Sequence, residues 1–177
     1  MEDTRLSTPY QRLQYTNDIH LAYVVSVRDP LNYTLDIYWP ENIAAKYSGA
    51  TSYDYSFISE ETPGIKTRKA YSCHMRGVEI VQNQQEEQNN MKEAFVFITK
   101  KILASNGWVL VRVYDIDVYR RILVSVYDTV TNKSLNQSLL DDACDQCGIP
   151  IAKEYSRPTK TRLSFKPTGP EGYYMVY

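Results

Sequence analysis

Five short β-patterned runs, interrupted once by a long segment of helical period, restrict this chain to a small, mainly β architecture. Residues 20–27 are rich in β-formers. Residues 28–33 then carry Asp29-Pro30 and Asn32 and turn, and 34–39 alternate apolar with polar, so the first two runs form a hairpin. Residues 40–62, with Gly49 and scattered tyrosines, are longer than a hairpin connection needs and are expected to be an insertion that covers or extends the sheet. A third strand is expected within 65–75. The polar run 82–90, made only of Gln, Asn and Glu, has nothing to bury and predicts a solvated loop.

From Met91 the period changes. Ala94, Phe95, Ile98 and Ile102 recur at three- and four-residue steps, which predicts an amphipathic helix over 91–105. Lys100 and Lys101 stand in its last turn, where the dipole favours cations, and Asn106-Gly107 stops it. Strands are expected at 108–116 and 121–127. A second helix follows over 134–144, with Ser134 and Gln137 spaced as a capping box and Leu135, Leu139 and Ala143 on its buried stripe. Three strands, a helix, two strands and a helix predict an α+β, mainly β fold: a five-stranded Greek-key barrel of the OB type with packed helices.

At 177 residues the chain holds one domain and two tails, read as an arm at 1–18, a domain at 19–165 and a tail at 166–177. A net charge of −1 provides no overall attraction to nucleic acid, so such binding must rest on a local basic patch. The first residues lack a signal-peptide pattern and no apolar run approaches the roughly 18 residues that span a bilayer, so an intracellular, cytoplasmic or nuclear protein without membrane association is expected. Three cysteines are too few and odd in number for a disulfide framework. Cys144-Asp145-Gln146-Cys147 has the spacing of a redox or zinc half-site, with only Cys73, His20 and His74 left to complete four ligands. Ordinary thiols near a helix end are the competing reading.

Residues 117–127 carry the most specific chemistry. Strand alternation would point Tyr119 and Arg121 to one face, a phenol beside a guanidinium, which suits a phosphate. The plain alternative is a surface ion pair between Arg121 and Asp117 and a tyrosine packed on the sheet. Further on, Lys153, Arg157, Lys160 and Arg162 surround Tyr155, a cluster able to follow a nucleic-acid backbone.

Asp117-Val118-Tyr119-Arg120-Arg121 resembles the Asp-x-Tyr-Gly-Arg motif of the staphylococcal nuclease (thermonuclease) family. Glu93-Ala94 before Ile98-Thr99-Lys100-Lys101 is similar to that family's first helix, and Asn136-Gln137-Ser138-Leu139 to the opening of its second. Tyr155-Ser156-Arg157-Pro158-Thr159-Lys160 resembles a Tyr-Asp-Gly-Gly-Thr-Lys ending found in copies carried by large DNA viruses, which implies a viral source. The resemblance covers about residues 19–165.

What it implies is calcium-assisted hydrolysis of phosphodiesters: two arginines clamp the phosphate, carboxylates hold the ion, and a glutamate positions water. Anchored on Gly77-Val78, His74 takes the place of the first arginine, Glu79 that of a metal aspartate and Gln82 that of the glutamate. Arg121 stands for the second arginine, and Tyr119 and Tyr155 for two tyrosines. Asp29 takes the other metal carboxylate across a two-residue insertion; the alternative register puts Tyr33 there. Asp36, one step along, is expected to face solvent. His74 has no fork and is mostly neutral near pH 7, with one hydrogen bond to offer a phosphate, and Gln82 has no basicity.

The catalytic candidates are thus Arg121, Glu79 and His74. The phosphate contacts are Tyr119, Arg121, Tyr155, Lys153, Arg157 and Lys160, and calcium, if the protein is active, falls to Glu79 and Asp29. The expectation is a degenerate site that binds DNA, RNA or another phosphate-bearing ligand. Two other readings stay open. One is an active metal-dependent nuclease using Glu79 with a further carboxylate such as Glu86 or Glu87 from the polar run; the other is an interaction protein whose partner contacts the tyrosine-rich insertion and the tails.

Overall fold

The hydrophobic alternation builds a sheet that closes on itself. The computed structural model describes residues 19–61, 63–81 and 87–155, so the arm, the whole tail at 166–177 and Gln82, Glu86, Arg157, Lys160 and Arg162 lie outside the described residues. Strands β1 (Ile19–Asp29) and β2 (Asn32–Tyr38) form the first hairpin, followed by one helical turn, α1 (Glu41–Ala44), and a 3-10 turn (Ala45–Tyr47). Next come β3 (Ser52–Ile58), β4 (Ile65–Met75), β5 (Val78–Ile80) and α2 (Glu87–Ala104). The chain continues through β6 (Trp108–Ile116), β7 (Ile122–Tyr127), α3 (Leu135–Asp142) and β8 (Ala152–Glu154).

The large sheet runs β2-β1-β6-β7-β4-β3, and a further pairing of β2 with β4 turns five of its strands into a ring. Only β4 and β7 run parallel; the other pairs of the ring are antiparallel. Register shifts in β1 between Val24 and Ser26 and between Val27 and Asp29 bend it, so that one strand pairs with β2 on one side and β6 on the other. Alternate residues point inward, among them Ala22, Leu35, Met75, Val111 and Val124. Ala94, Ile98 and Ile102 of α2 and Leu135 and Leu139 of α3 join the same core. Each such fully buried valine, leucine, isoleucine or methionine contributes about 1.5–3 kcal/mol.

The five predicted strands correspond to β1, β2, β4, β6 and β7. The insertion holds β3, which pairs along β4 outside the ring and extends the sheet. Two three-residue strands, β5 and β8, form a separate antiparallel pair that local pattern did not announce. The polar run is not all loop: α2 begins at Glu87, and Asn90 is buried, donating Nδ2 to the Val81 carbonyl at 3.0 Å. Phe95, expected on the buried stripe, is 36% exposed; Met91 and Phe97 flank the core instead.

α2 ends where predicted. Asn106 and Gly107 have φ of 56° and 87°, and the Gly107 N–H donates to the Ile102 carbonyl at 3.0 Å. A Cβ at Gly107 would sit 2.9 Å from the Tyr23 ring, so the position needs glycine twice over. At α3, Ser134 caps by accepting the Gln137 N–H at 2.9 Å, but Gln137 does not return the bond and donates to Asp141 instead. No helix among the described residues is long and apolar enough to cross a membrane.

Candidate functional site

Three turns meet at one end of the ring. The β1–β2 turn is short because Asp29 Oδ1 accepts the Leu31 N–H at 2.8 Å, an Asx turn that Pro30 pre-sets. The Asn32 amide Nδ2 then donates to both Asp29 oxygens, at 2.9 and 2.8 Å. Asn32 sits opposite His74 in the β2–β4 pairing, and His74 in turn sits opposite Leu123 of β7. This register brings the first hairpin, the end of β4 and the β6–β7 turn together.

Tyr119 and Arg121 do come together, though not by strand alternation. Both precede β7, in a turn organised by Asp117: its Oδ1 accepts the Tyr119 and Arg121 N–H groups, each at 2.9 Å, and Arg120 takes a φ of 67°. Asp117 Oδ2 accepts Arg121 Nε at 2.8 Å, and Arg121 Nη1 reaches Asn32 Oδ1 at 3.1 Å. The guanidinium lies 5.1 Å from the centre of the Tyr119 ring, which is 73% exposed. The ion pair with Asp117 and the contact with tyrosine therefore coexist.

Asn32 Oδ1 also meets His74 Nδ1 at 2.8 Å. Arginine only donates, so this oxygen is an acceptor, and His74 Nδ1 must carry the proton. Nε2 is then the bare nitrogen of a neutral ring. Burial, with the Arg121 charge adding to it, lowers the His74 pKa from 6.5 to about 4, against the opposing pull of Asp117 and Asp29. At neutral pH His74 has no donor left for a phosphate, so its place in the site is that of a bracket between Asn32 and the sheet.

Of the sequence candidates, Asp29, His74 and Arg121 share one hydrogen-bonded network, with Tyr119 against it. Asn32 was read only as a turn residue and Asp117 only as an ion-pair partner of Arg121; that Asn32 joins the site, and that Asp117 also organises the backbone turn, was not read from the sequence. Glu79 and Lys153 belong to the separate β5–β8 pair, opposite each other, with Lys153 Nζ 3.4 Å from Glu79 Oε1. Tyr155 follows β8, and its N–H donates to the Gly77 carbonyl at 3.0 Å. Tyr33, the alternative metal position, is buried inside the ring with its hydroxyl donated to the Pro30 carbonyl, and burial raises its pKa well above 10.0.

The described residues do not assemble a calcium site. Among the described residues no three His, Cys, Asp or Glu side chains cluster, and the Asp29 carboxylate is already occupied by Asn32 and a backbone N–H. A second polar cluster lies on the outer face of the sheet. Asp36, expected in solvent, is 1% exposed: Arg68 covers it with a two-point fork at 2.6 and 3.0 Å, and the Tyr55 hydroxyl donates to the same carboxylate. Alternation did place Asp36 outside the ring, and its neighbours on β3 and β4 then buried it. No protein-family model matches the chain, and no curated protein matches it in sequence.

Proposed function

We propose that this domain is a catalytically silent, OB-type relative of the staphylococcal nucleases, of viral source, that binds nucleic acid or another phosphate-bearing ligand at the Tyr119–Arg121 edge. One observation carries the reading. Arg121 is held by Asp117 and Asn32 through two of its N–H groups, which leaves others of its five for a ligand, next to an exposed aromatic ring. A phosphate on the guanidinium and a base on the ring together describe a single-stranded oligonucleotide.

The OB-type assignment is supported by a five-strand ring with one parallel pair and a helix between its third and fourth strands. Silence is supported by the neutral, donor-exhausted His74 and by Glu79 paired to Lys153. The test is a titration of a labelled single-stranded oligonucleotide at low salt. Arg121→Ala is expected to weaken binding by about 1–3 kcal/mol, Arg121→Lys to recover part of it, and calcium to stimulate no cleavage. Equal affinities for the three proteins would make Arg121 structural and hand the lead to a protein-interaction role. Calcium-dependent cleavage abolished by Glu79→Ala would instead establish an active nuclease.

A further inference from the structure

A groove runs between α2 and the segment that follows α3, enclosing about 660 Å³. It is far larger than one water and lies in the range of ligand sites. One wall is the ridge of Lys92, Val96, Lys100 and Ala104, four residues apart and therefore stacked along one side of the helix. That ridge is about 18 Å long at about 1.5 Å per residue. The opposite wall is Ala143, Cys144 and Ile151. Val96 is 43% exposed and Ala104 is exposed although α2 already buries Ala94, Ile98 and Ile102 on its core side, so these two residues give the helix a second, short apolar strip facing the groove.

Charge selects what fits there. Among the described residues no carboxylate is ion-paired to Lys92, Lys100 or Lys101, whereas Asp142 on the far wall is drawn to Lys133 at 3.5 Å. Glu93 and Asp142 are the carboxylates of the groove, against three lysines, so its lining keeps an excess of positive charge. The lysines stand at both ends of the apolar strip, Lys92 at one and Lys100 with Lys101 about two turns further on. A single-headed amphiphile would satisfy one end only. An amphipathic helix with acidic residues about two turns apart satisfies both and fills the length between them with its apolar side chains.

We infer that this groove docks an acidic amphipathic helix of a partner protein, laid along α2. The site is independent of the Tyr119–Arg121 edge. It is tested on the full chain with a helix-stabilised synthetic peptide bearing a leucine stripe and glutamates about two turns apart. Controls are the same peptide with lysines for glutamates, and laurate as a small amphiphile.

Saturable binding of the acidic peptide is expected, at least about tenfold tighter than the basic one. Val96→Asp should weaken it about tenfold or more with an unchanged Tm, since the side chain is exposed. The triple variant Lys92→Glu, Lys100→Glu, Lys101→Glu should reverse the charge preference. Arg121→Ala should leave peptide binding unaltered, which separates this site from the oligonucleotide edge. Absence of binding up to about 1 mM, indifference to Val96→Asp, equal affinity for both peptides or displacement by laurate would each overturn the assignment.

Discussion

The amide of Asn32 sets the state of His74. Its oxygen accepts from Arg121, so it must accept from the imidazole as well, and the ring is left neutral with Nε2 bare. Because the folded pKa, about 4, lies below the ordinary 6.5, protonation favours the unfolded chain. The associated stability is complete above about pH 6.5 and is lost as pH falls toward 4, with an upper bound of about 3 kcal/mol. Nitrogen NMR should show the Nδ1–H tautomer at pH 7 and a midpoint near 4, and His74→Gln should flatten the denaturation midpoint between pH 6.5 and 4. On the outer face, Arg68→Ala leaves the buried Asp36 carboxylate with Tyr55 as its remaining side-chain donor and should cost about 3 kcal/mol, against about 1 for Tyr55→Phe. Similar Tm losses for the two variants would show that the fork does not hold the carboxylate.

Elements are joined by side chains that replace missing backbone partners. Asn136, buried in the first turn of α3, accepts the Val126 N–H at 3.1 Å and donates to the Arg76 carbonyl at 2.8 Å, tying the helix to β7 and to the β4–β5 turn. Asn136→Ala removes both bonds from a buried site and should destabilise by about 2–4 kcal/mol, while Ser134→Ala, which removes only a cap, should cost about 1. Urea denaturation distinguishes them, and equal losses would mean that the tether adds nothing. At this scale the sequence was legible where a segment carries its own period. The five ring strands and the stop of α2 were read from alternation and from Asn106-Gly107. β3, β5 and β8 were not, because short or half-exposed strands form only when a partner supplies the hydrogen bonds. The start of α2 was also missed, since Asn90 is held by Val81 and not by an apolar stripe.

For the whole molecule, closing the ring decides which distant groups meet. Calcium is expected to leave the Tm within about 1 °C of its value in chelator, since a site that bound it would shift the folded state upward by mass action. A clear rise would direct attention to Gln82 and Glu86, outside the described residues. The sequence alone determined the mainly β class, the inward alternation, the stop of α2 at Asn106-Gly107 and the turn at Asp29-Pro30, because each depends on residues within a few positions of one another. Only tertiary structure decided that Arg121 bonds to Asn32, 89 residues away, that Asp36 is buried, and that Glu79 faces Lys153. Those outcomes follow from the β2–β4, β4–β7 and β5–β8 registers, and register is set by how the complete apolar face packs, a quantity that no local spacing contains.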